Sequence, residues 1–391
     1  MTTESAAPQL VINTHRTRRT AAHAAASVRP IDFHRTIPGY QATPLVPLRR
    51  VAAALRVGKV VIKDEAVRIG LPAYKVLGGS WALHQAIVRA TAQAADRVVP
   101  FDELQSRARQ LGRVTLCTAT DGNHGRGIAA MAERLGFACV IYVPADMVAD
   151  RIAAIESHGA QVRRVAQGYS AAVHAAAAAA GAEGWWLCAD TASGDEPPAA
   201  AAFVGDVSAG YETLFQELVD QLGSAPDVLL VQAGVGALAS SAITFFRRQG
   251  ASTRIASVEP AGSNCVQASI AAGEPTQVAD SFTIMAGLRS QQISTAAWPV
   301  LRDGLHAAIS IPDERTRDAM RLLARDGVVA GESGAAGLAG LLDVASDARG
   351  RTELGLEPAV TVALINTEGA TDPQGYAEIV GADPAPAVTA T

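Results

Sequence analysis

The feature that most limits the fold is the alternation of apolar strands with helices, which residues 114–147 show most clearly. This stretch, VTLCTATDGNHGRGIAAMAERLGFACVIYVPADM, contains a strand, a glycine-rich turn, a helix and a second strand. The alternation continues through 150–166, 227–260 and 359–372. Strands that are apolar almost throughout are typical of parallel sheets covered by helices on both faces. The pattern predicts an α/β protein with two sheets, each mostly parallel and flanked by helices.

The length of the chain predicts more than one domain. At 391 residues it exceeds what a single hydrophobic core usually supports. We expect residues 1–35 to form a loosely held arm, 36–80 and 190–391 to form a larger domain, and 81–189 a smaller one. Residues 194–203, rich in Pro, Gly and Ala, are predicted to be a connection or loop.

Composition and charge limit the binding partners and the cellular compartment that can be expected. A net charge of −5 and a pI near 5.9, without a basic cluster, give no reason to expect nucleic acid. No apolar run reaches the roughly 20 residues that span a bilayer, so no membrane is expected. The Arg- and Ala-rich residues 15–29 leave a transit peptide open as a minor alternative to a cytoplasmic location. No metal site or disulfide is expected, because the cysteines are far apart and form no CxxC pair; they are Cys117, Cys139, Cys188 and Cys265.

One glycine-rich turn follows the strand that begins at Asp227 and precedes a helix. It comprises Gly234, Val235, Gly236, Ala237 and Leu238. Backbone N–H groups at such a helix start bind anions, which predicts a phosphate site. The same text matches a dinucleotide fingerprint, with Glu259 roughly 20 residues on, where a ribose-binding acid would lie. From this turn alone, a dinucleotide and another phosphate are equally favoured, and a tight turn without ligand is the third interpretation.

A second glycine-rich turn, TATDGNHGRG, also leads from a strand into a helix. Its central residues are Thr120, Asp121, Gly122, Asn123 and His124. The backbone donors suit a carboxylate. Taken alone, however, Asp121 and Asn123 are better interpreted as helix N-caps, and His124 as a structural residue.

Lys75 stands in the apolar segment LPAYKVLGG. Most lysines place their stems on apolar surface and their ammonium groups in water, and the segment alone favours that interpretation. The alternative is a buried amine with a lowered pKa, which Schiff-base chemistry requires.

Together these motifs identify a family. The chain resembles the fold-type II pyridoxal-phosphate enzymes, whose fold is tryptophan synthase beta-like, and within them the diaminopropionate ammonia-lyases. The resemblance runs from about Phe33 to Tyr376 and rests on FHRTIPGYQATPL, VVIKDEAVRIGLPAYKVLGG, TATDGNHGRG, VIYVPADM, CADTA, VQAGVGALA, VEPAGSNC, TIMAGL, GESGAAGL and NTEGATDP. The most discriminating is TDGNHGRG, since serine/threonine dehydratases and cysteine synthases normally have a small residue where Asp121 stands.

The resemblance implies a cofactor, pyridoxal 5′-phosphate, and the residues that hold it. Lys75 would bind it covalently, Asn123 would bond its 3′-oxygen, and the turn 234–238 would bind its phosphate. Thr367 or Asn366 would face the ring nitrogen. Glu332 and Ser333 would line the ring.

It also implies the reaction, an α,β-elimination that turns 2,3-diaminopropionate into pyruvate and ammonia in a homodimeric enzyme. Lys75 would remove the α-proton from one face and Asp121 from the opposite enantiomer. Asp190 would orient the substrate's amino group. The turn from Thr120 to His124 would receive the substrate carboxylate.

Departures from the family's motifs leave other functions open. Asn366 and Ala370 replace a serine and an aspartate of STEGDTD, SGDEPP follows CADTA in place of WEGY, and RSQQIS follows TIMAGL in place of ACGEPN. These changes fall in substrate-facing loops. They keep open a β-elimination or β-replacement on another amino acid, as in a serine/threonine dehydratase or a biosynthetic enzyme. An NAD-binding oxidoreductase and a non-catalytic cofactor-binding relative are the remaining alternatives.

Overall fold

A computed structural model of the chain describes residues 9–17, 28–92, 97–166 and 168–384. These residues form two compact units. Unit 1 comprises 9–17, 44–65 and 218–384, and unit 2 comprises 28–43, 66–92, 97–166 and 168–217. The domain bounds expected from the sequence stay a prediction. Most of the stretch interpreted as a possible transit peptide, 18–27, lies outside the described residues.

The elements alternate along the chain as the apolar pattern predicts. The strands are β1 (Gln9–Ile12), β2 (Leu45–Pro47), β3 (Lys59–Asp64), β4 (Thr115–Ala119), β5 (Ala138–Pro144), β6 (Gln161–Val165), β7 (Trp186–Leu187), β8 (Val228–Gln232), β9 (Arg254–Pro260), β10 (Ala307–Ile311) and β11 (Thr361–Asn366). The helices are α1 (Pro30–His34), α2 (Arg49–Leu55), α3 (Lys75–Ala90), α4 (Phe101–Gln110), α5 (Asn123–Leu135), α6 (Ala149–Glu156), α7 (Gly168–Glu183), α8 (Pro198–Gly210), α9 (Glu212–Leu222), α10 (Ala237–Arg248), α11 (Cys265–Ala272), α12 (Trp298–Gly304), α13 (Asp313–Arg325), α14 (Glu332–Ser346), α15 (Ala348–Leu354) and α16 (Pro373–Val380).

Unit 1 is built on a sheet with the strand order β1-β10-β9-β8-β11-β3-β2. Its inner strands are parallel, and the edge strands β1 and β2 are antiparallel to their neighbours. The mostly parallel sheet is as predicted. The expectation of a loosely held arm is wrong for Gln9–Ile12, because these residues pair with Ala307–Ser310. Asn13 adds side-chain hydrogen bonds to the carbonyls of Arg302 (2.8 Å) and Leu305 (2.9 Å).

The core of unit 1 forms where α14 packs on this sheet. The helix is almost entirely buried because its sequence, ESGAAGLAGLLDVAS, is rich in Gly and Ala. A Cβ added at Gly340 would lie 2.7 Å from Cγ2 of Val258, so only glycine allows this approach to β9. Burial of a side chain the size of Val258 stabilises a fold by about 1.5–3 kcal/mol.

Unit 2 contains a fully parallel sheet with the order β6-β5-β4-β7. The alanine-rich helix α7 covers one face through Ala172, Ala176 and Ala180, which recur every fourth residue and are buried. Since their side chains are small, the helix lies close to β4 and β5.

The candidate residues follow neighbouring parallel strands in each unit. In unit 2, β4 leads to Thr120–His124 and its partner β7 leads to Asp190. In unit 1, β8 leads to the turn 234–238 and its partner β11 ends at Asn366. Ligands of such sheets bind at the carboxyl ends of strands, so each unit presents one group of candidate residues at that edge.

Candidate active site

Lys75 is the first residue of α3 and carries a largely buried amine. Its Nζ donates a hydrogen bond of 2.7 Å to Oδ2 of Asp190. The two side chains are 19% and 11% exposed. The surface-lysine interpretation, which the segment alone favoured, is therefore wrong.

The pair settles the charge of both groups. Burial on its own lowers the pKa of Lys75, but the carboxylate of Asp190, with smaller contributions from Tyr211 and Tyr74, raises this pKa well above its usual value. Burial likewise raises the pKa of Asp190, and Lys75 and then His124 outweigh that effect, so this pKa lies well below its usual value. Lys75 is thus an ammonium ion in this state, not the amine of lowered pKa that burial alone would produce.

Two tyrosine rings lie close to the amine of Lys75. The Nζ of Lys75 lies 5.7 Å from the ring centroid of Tyr74 and 5.9 Å from that of Tyr211, within the range of a cation–π contact. The two rings lie 4.8 Å apart. The sequence carries no local signal for Tyr211, which sequence reasoning missed.

Gly78 and Gly79 lie where α3 packs against other helices. A Cβ on Gly78 would lie 2.5 Å from Cε1 of Tyr211 and 2.8 Å from Cγ1 of Val207. A Cβ on Gly79 would lie 3.0 Å from Cδ1 of Ile128. The two glycines therefore allow the close packing of α3 against its neighbours α8 and α5.

The turn after β4 is fixed by the hydroxyl of Thr120, which accepts from the backbone N–H groups of Gly122 (2.9 Å) and Gly125 (3.0 Å). Gly122 is the N-cap of α5, with φ +149°, a conformation that favours glycine. No side chain caps this helix. The N-cap interpretation of Asp121 and Asn123 is therefore wrong, and both side chains are only half-buried beside the turn.

His124 is buried next to the ion pair. Its Nε2 lies 2.7 Å from the carbonyl oxygen of Cys188. Its Nδ1 lies 3.9 Å from Oδ2 of Asp190 and has no hydrogen-bond partner among the residues described. Burial, more than any other influence, lowers the pKa of His124. A neutral ring that donates from Nε2 fits these contacts, so Nδ1 is left as an acceptor.

Tyr169, at the start of α7, was missed because its alanine-dense helix was interpreted as structural. Burial raises the pKa of its phenol well above the usual value, and the charges of Asp190 and Asp121 raise it further. The phenol therefore stays protonated near both carboxylates. A tyrosine just before an alanine run is the only signal that the sequence offers.

In unit 1, the turn from Gly234 to Leu238 has the geometry of an anion site. Gly236 is the N-cap of α10 with φ +94°. The backbone N–H groups of this turn donate to no acceptor within the described part of the chain. Because the first N–H groups of a helix lack intrahelical acceptors, a phosphate would satisfy them.

Glu259 does not have the role that the dinucleotide interpretation requires. Its carboxylate is fully buried and accepts from the backbone N–H groups of Val266 (2.8 Å) and Gln267 (2.7 Å). It therefore caps the start of α11 from β9 and is not available to a ribose. Burial raises the pKa of Glu259 to about 8.

At the end of β11, Asn366 is held inside unit 1. Its Nδ2 donates to Oδ1 of Asp64 (2.7 Å) and to the carbonyl of Val329 (3.0 Å). Thr367, the next residue, is 4% exposed. Glu368 accepts from the backbone N–H of Ser333 at the start of α14.

Comparison with known proteins decides which cofactor the chain uses. The model of the family described as pyridoxal-phosphate dependent enzyme matches residues 37–366. The chain belongs to this family. Pyridoxal phosphate is its cofactor, as predicted, and the NAD interpretation is wrong. Within unit 2, the buried amine of Lys75 has the chemistry that its aldehyde requires. Within unit 1, the N–H groups of the 234–238 turn have the geometry that its phosphate requires.

Two diaminopropionate ammonia-lyases resemble this chain over about nine-tenths of its length. The diaminopropionate ammonia-lyase of Salmonella typhimurium strain LT2 is 35% identical over 370 residues, which cover 90% of each chain. That of Escherichia coli strain K12 is 33% identical over 363 residues, covering 89% of each. The resemblance to the ammonia-lyases is confirmed.

Solved structures give the same picture. The Escherichia coli diaminopropionate ammonia-lyase in complex with D-serine is 30% identical, with a TM-score of 0.85 over 95% of this chain and 96% of that one. Its complex with an aminoacrylate-PLP azomethine reaction intermediate has a TM-score of 0.83. A threonine deaminase from Solanum lycopersicum, 19% identical with a TM-score of 0.70, shares the fold alone.

Proposed function

We propose that the protein is a pyridoxal-phosphate dependent ammonia-lyase that converts 2,3-diaminopropionate to pyruvate and ammonia by α,β-elimination. The observation that carries the proposal is the buried contact between Lys75 and Asp190, in a chain related over 90% of its length to diaminopropionate ammonia-lyases. A lysine amine beside a carboxylate is suited to removing a proton from carbon, because the carboxylate stabilises the positive charge that the amine acquires.

In unit 2, Lys75 and Asp121 serve as bases for the α-protons of opposite enantiomers. Lys75 removes the α-proton of one enantiomer, and Asp190, 2.7 Å from its Nζ, stabilises the resulting ammonium and orients the substrate's amino group. Asp121 removes the proton of the opposite enantiomer. Bound pyridoxal phosphate supplies the electron sink that makes this proton acidic. The backbone from Thr120 to His124 receives the substrate carboxylate.

Four further groups hold the cofactor. Asn123 bonds its 3′-oxygen, and the free N–H groups from Gly234 to Leu238 bind its phosphate. Thr367 faces the ring nitrogen in preference to Asn366, because the amide of Asn366 already donates to Asp64 and Val329. Glu332 and Ser333 line the ring.

The assembly and the location are part of the proposal. We propose a homodimer in the cytoplasm. No helix in the described ranges is long and apolar enough to cross a membrane. Size-exclusion chromatography with light scattering of the holoenzyme measures the assembly, and a mass of one chain would contradict a dimer.

The activity is tested with each enantiomer of 2,3-diaminopropionate. The holoenzyme should release pyruvate and two equivalents of ammonia per turnover, and Lys75→Ala should release neither. Absence of pyruvate from both enantiomers would overturn the proposal.

A second candidate is elimination or replacement on another amino acid. It rests on the loop after Asp190, where Glu196 accepts from the hydroxyl of Ser193 (2.7 Å) and the N–H of Gly194 (3.0 Å) in place of a tryptophan motif. A panel of serine, threonine and O-acetylserine, in both configurations where available, separates the two candidates. A higher kcat/KM for any of these than for 2,3-diaminopropionate would favour the second.

A further inference from the structure

The hydroxyl of Tyr211 is buried without a partner. Tyr211 follows α8, is 0% exposed, and its hydroxyl oxygen makes no hydrogen bond in the part of the chain that the structure describes. Buried hydroxyl groups almost always have a partner, because leaving one unpaired costs free energy. An unpaired hydroxyl beside a reactive amine therefore needs a reason.

The phenol end of this ring faces the first turn of α3. A Cβ on Gly78 would lie 2.5 Å from Cε1 and 2.8 Å from Cζ, the atom that carries the hydroxyl. Gly78 is three residues after Lys75, and residues at that spacing share a helix face. The Nζ of Lys75 lies 5.9 Å from the ring centroid. The hydroxyl and the amine therefore lie on the same side of the helix start.

Lys75 has hydrogen-bond donors to spare, and the hydroxyl of Tyr211 has free acceptor lone pairs. An ammonium has three donors and a hydroxyl has two acceptor lone pairs. Lys75 uses one donor, toward Asp190. Burial raises the pKa of Tyr211 well above its usual value. The charge of Lys75 and a contact of its ammonium with the hydroxyl, outside normal hydrogen-bond geometry, oppose this by less, so the group keeps its proton. Tyr211 can therefore accept from an ammonium and also donate to a neutral amine, whereas an ionised Asp190 can only accept.

We propose that Tyr211 is a positioning residue for Lys75, whose hydroxyl holds the amine when it leaves Asp190. The inference rests on the proposed function, in which Asp190 also orients the substrate's amino group and Lys75 changes charge during each turnover. A partner that suits both charge states keeps the amine in place throughout. The ring of Tyr74 also lies near the amine and is 4.8 Å from the ring of Tyr211.

The first test uses the apoprotein and needs no substrate. Tyr211→Phe keeps the ring that fills the space at Gly78 and removes only the hydroxyl. The rate at which acetic anhydride acylates Lys75 is followed against pH by peptide mass spectrometry. The comparison is made in the Asp190→Asn background, where Lys75 no longer has the carboxylate as its partner. There, loss of the hydroxyl that accepts from the ammonium lowers the pKa of Lys75, so its acylation at pH 8 should increase about threefold, which corresponds to roughly half a pKa unit. An unchanged rate would overturn the proposal.

The second test is steady-state turnover of 2,3-diaminopropionate. In Tyr211→Phe, kcat should fall about tenfold while KM stays within about twofold, because the variant changes the amine and not substrate binding. Tyr142→Phe is the control: its hydroxyl accepts from Arg163 on the β5–β6 side of the same unit, at 2.9 Å. It should leave both acylation and kcat at the wild-type level.

The outcomes separate this inference from the proposed function. If the wild type releases no pyruvate from either enantiomer, the proposed function fails, and the acylation rates still decide whether Tyr211 holds Lys75. If Tyr211→Phe changes only the melting temperature, with acylation and kcat unaltered, the residue serves packing and the inference is wrong.

Discussion

Lys75 and Asp190 form a hydrogen-bonded ion pair of 2.7 Å across 115 residues of sequence. It joins the start of α3 to the segment that follows β7, and both side chains are mostly buried. A buried charge is costly unless it is paired, so each partner depends on the other for its ionised form. Removal of one carboxylate should therefore change the protonation of Lys75.

The pair predicts a pH-dependent stability difference between the wild-type apoprotein and Asp190→Asn. In the wild type the pKa of Lys75 is raised, so the pair's contribution is complete below the unfolded pKa of about 10.4. In Asp190→Asn, burial dominates and lowers that pKa. The variant then loses stability as the pH falls from about 10. The total loss is about 1.4 kcal/mol for each unit by which the pKa of Lys75 is lowered.

Urea unfolding at pH 10, 8 and 6 measures this effect. The free energy of unfolding of the wild type minus that of Asp190→Asn should be smallest at pH 10 and increase toward pH 6. A difference that stays constant over this range would show that Asp190 does not control the charge of Lys75.

Asp121 should matter for one enantiomer of 2,3-diaminopropionate. The two enantiomers present the α-hydrogen to opposite faces and so require bases on opposite sides. Asp121→Asn is expected to lower kcat/KM about 100-fold for one enantiomer and less than about threefold for the other, as loss of a general base usually does. Pyruvate release from each pure enantiomer measures the ratio. Equal losses for both would contradict separate bases.

The local sequence predicts what is local in the fold. The apolar alternation predicts the two parallel sheets, and the glycine-rich turns after β4 and β8 lie at the strand ends where they were expected. Such features depend on neighbouring residues only. The chemistry of Gly234–Leu238 is local for the same reason, since the free donors belong to one turn.

The environment of Lys75 could not be predicted in this way. Its segment favoured exposure because the residues that bury and charge it, Asp190 and Tyr211, come from distant parts of the chain. The role of Gly78 depends on Tyr211 for the same reason. Tyr169 was missed because it precedes an alanine-rich stretch. The high helix propensity of alanine explains that stretch without any functional role.

Gly78→Ala should destabilise the protein although alanine favours helices. The new Cβ would lie 2.5 Å from Cε1 of Tyr211, and such overpacking costs about 1–3 kcal/mol. Gly205→Ala in α8 is the matched control, because a Cβ there meets nothing within 4 Å. It should instead stabilise by about 0.5–1 kcal/mol. Urea unfolding of both variants tests the contrast. A stabilising Gly78→Ala would show that α3 and α8 separate freely.

Arg68 and Glu217 should show strong coupling in a double-mutant cycle. The guanidinium is fully buried and donates to both carboxylate oxygens, at 2.7 and 2.9 Å. Glu217 also accepts from the hydroxyl of Tyr40 (2.7 Å) and the backbone N–H of Thr43 (3.1 Å). Removal of either charge alone leaves the other buried and unpaired, which costs about 3–5 kcal/mol.

The cycle combines Arg68→Met with Glu217→Leu and follows urea unfolding of the apoprotein. The double variant has no unpaired charge, so its loss should be smaller than the sum of the single losses by at least about 2 kcal/mol. It should not return fully to wild type, because the N–H of Thr43 and the hydroxyl of Tyr40 lose their acceptor. Additive losses would mean that the two charges are independently solvated, which their burial at 0% and 3% exposure argues against.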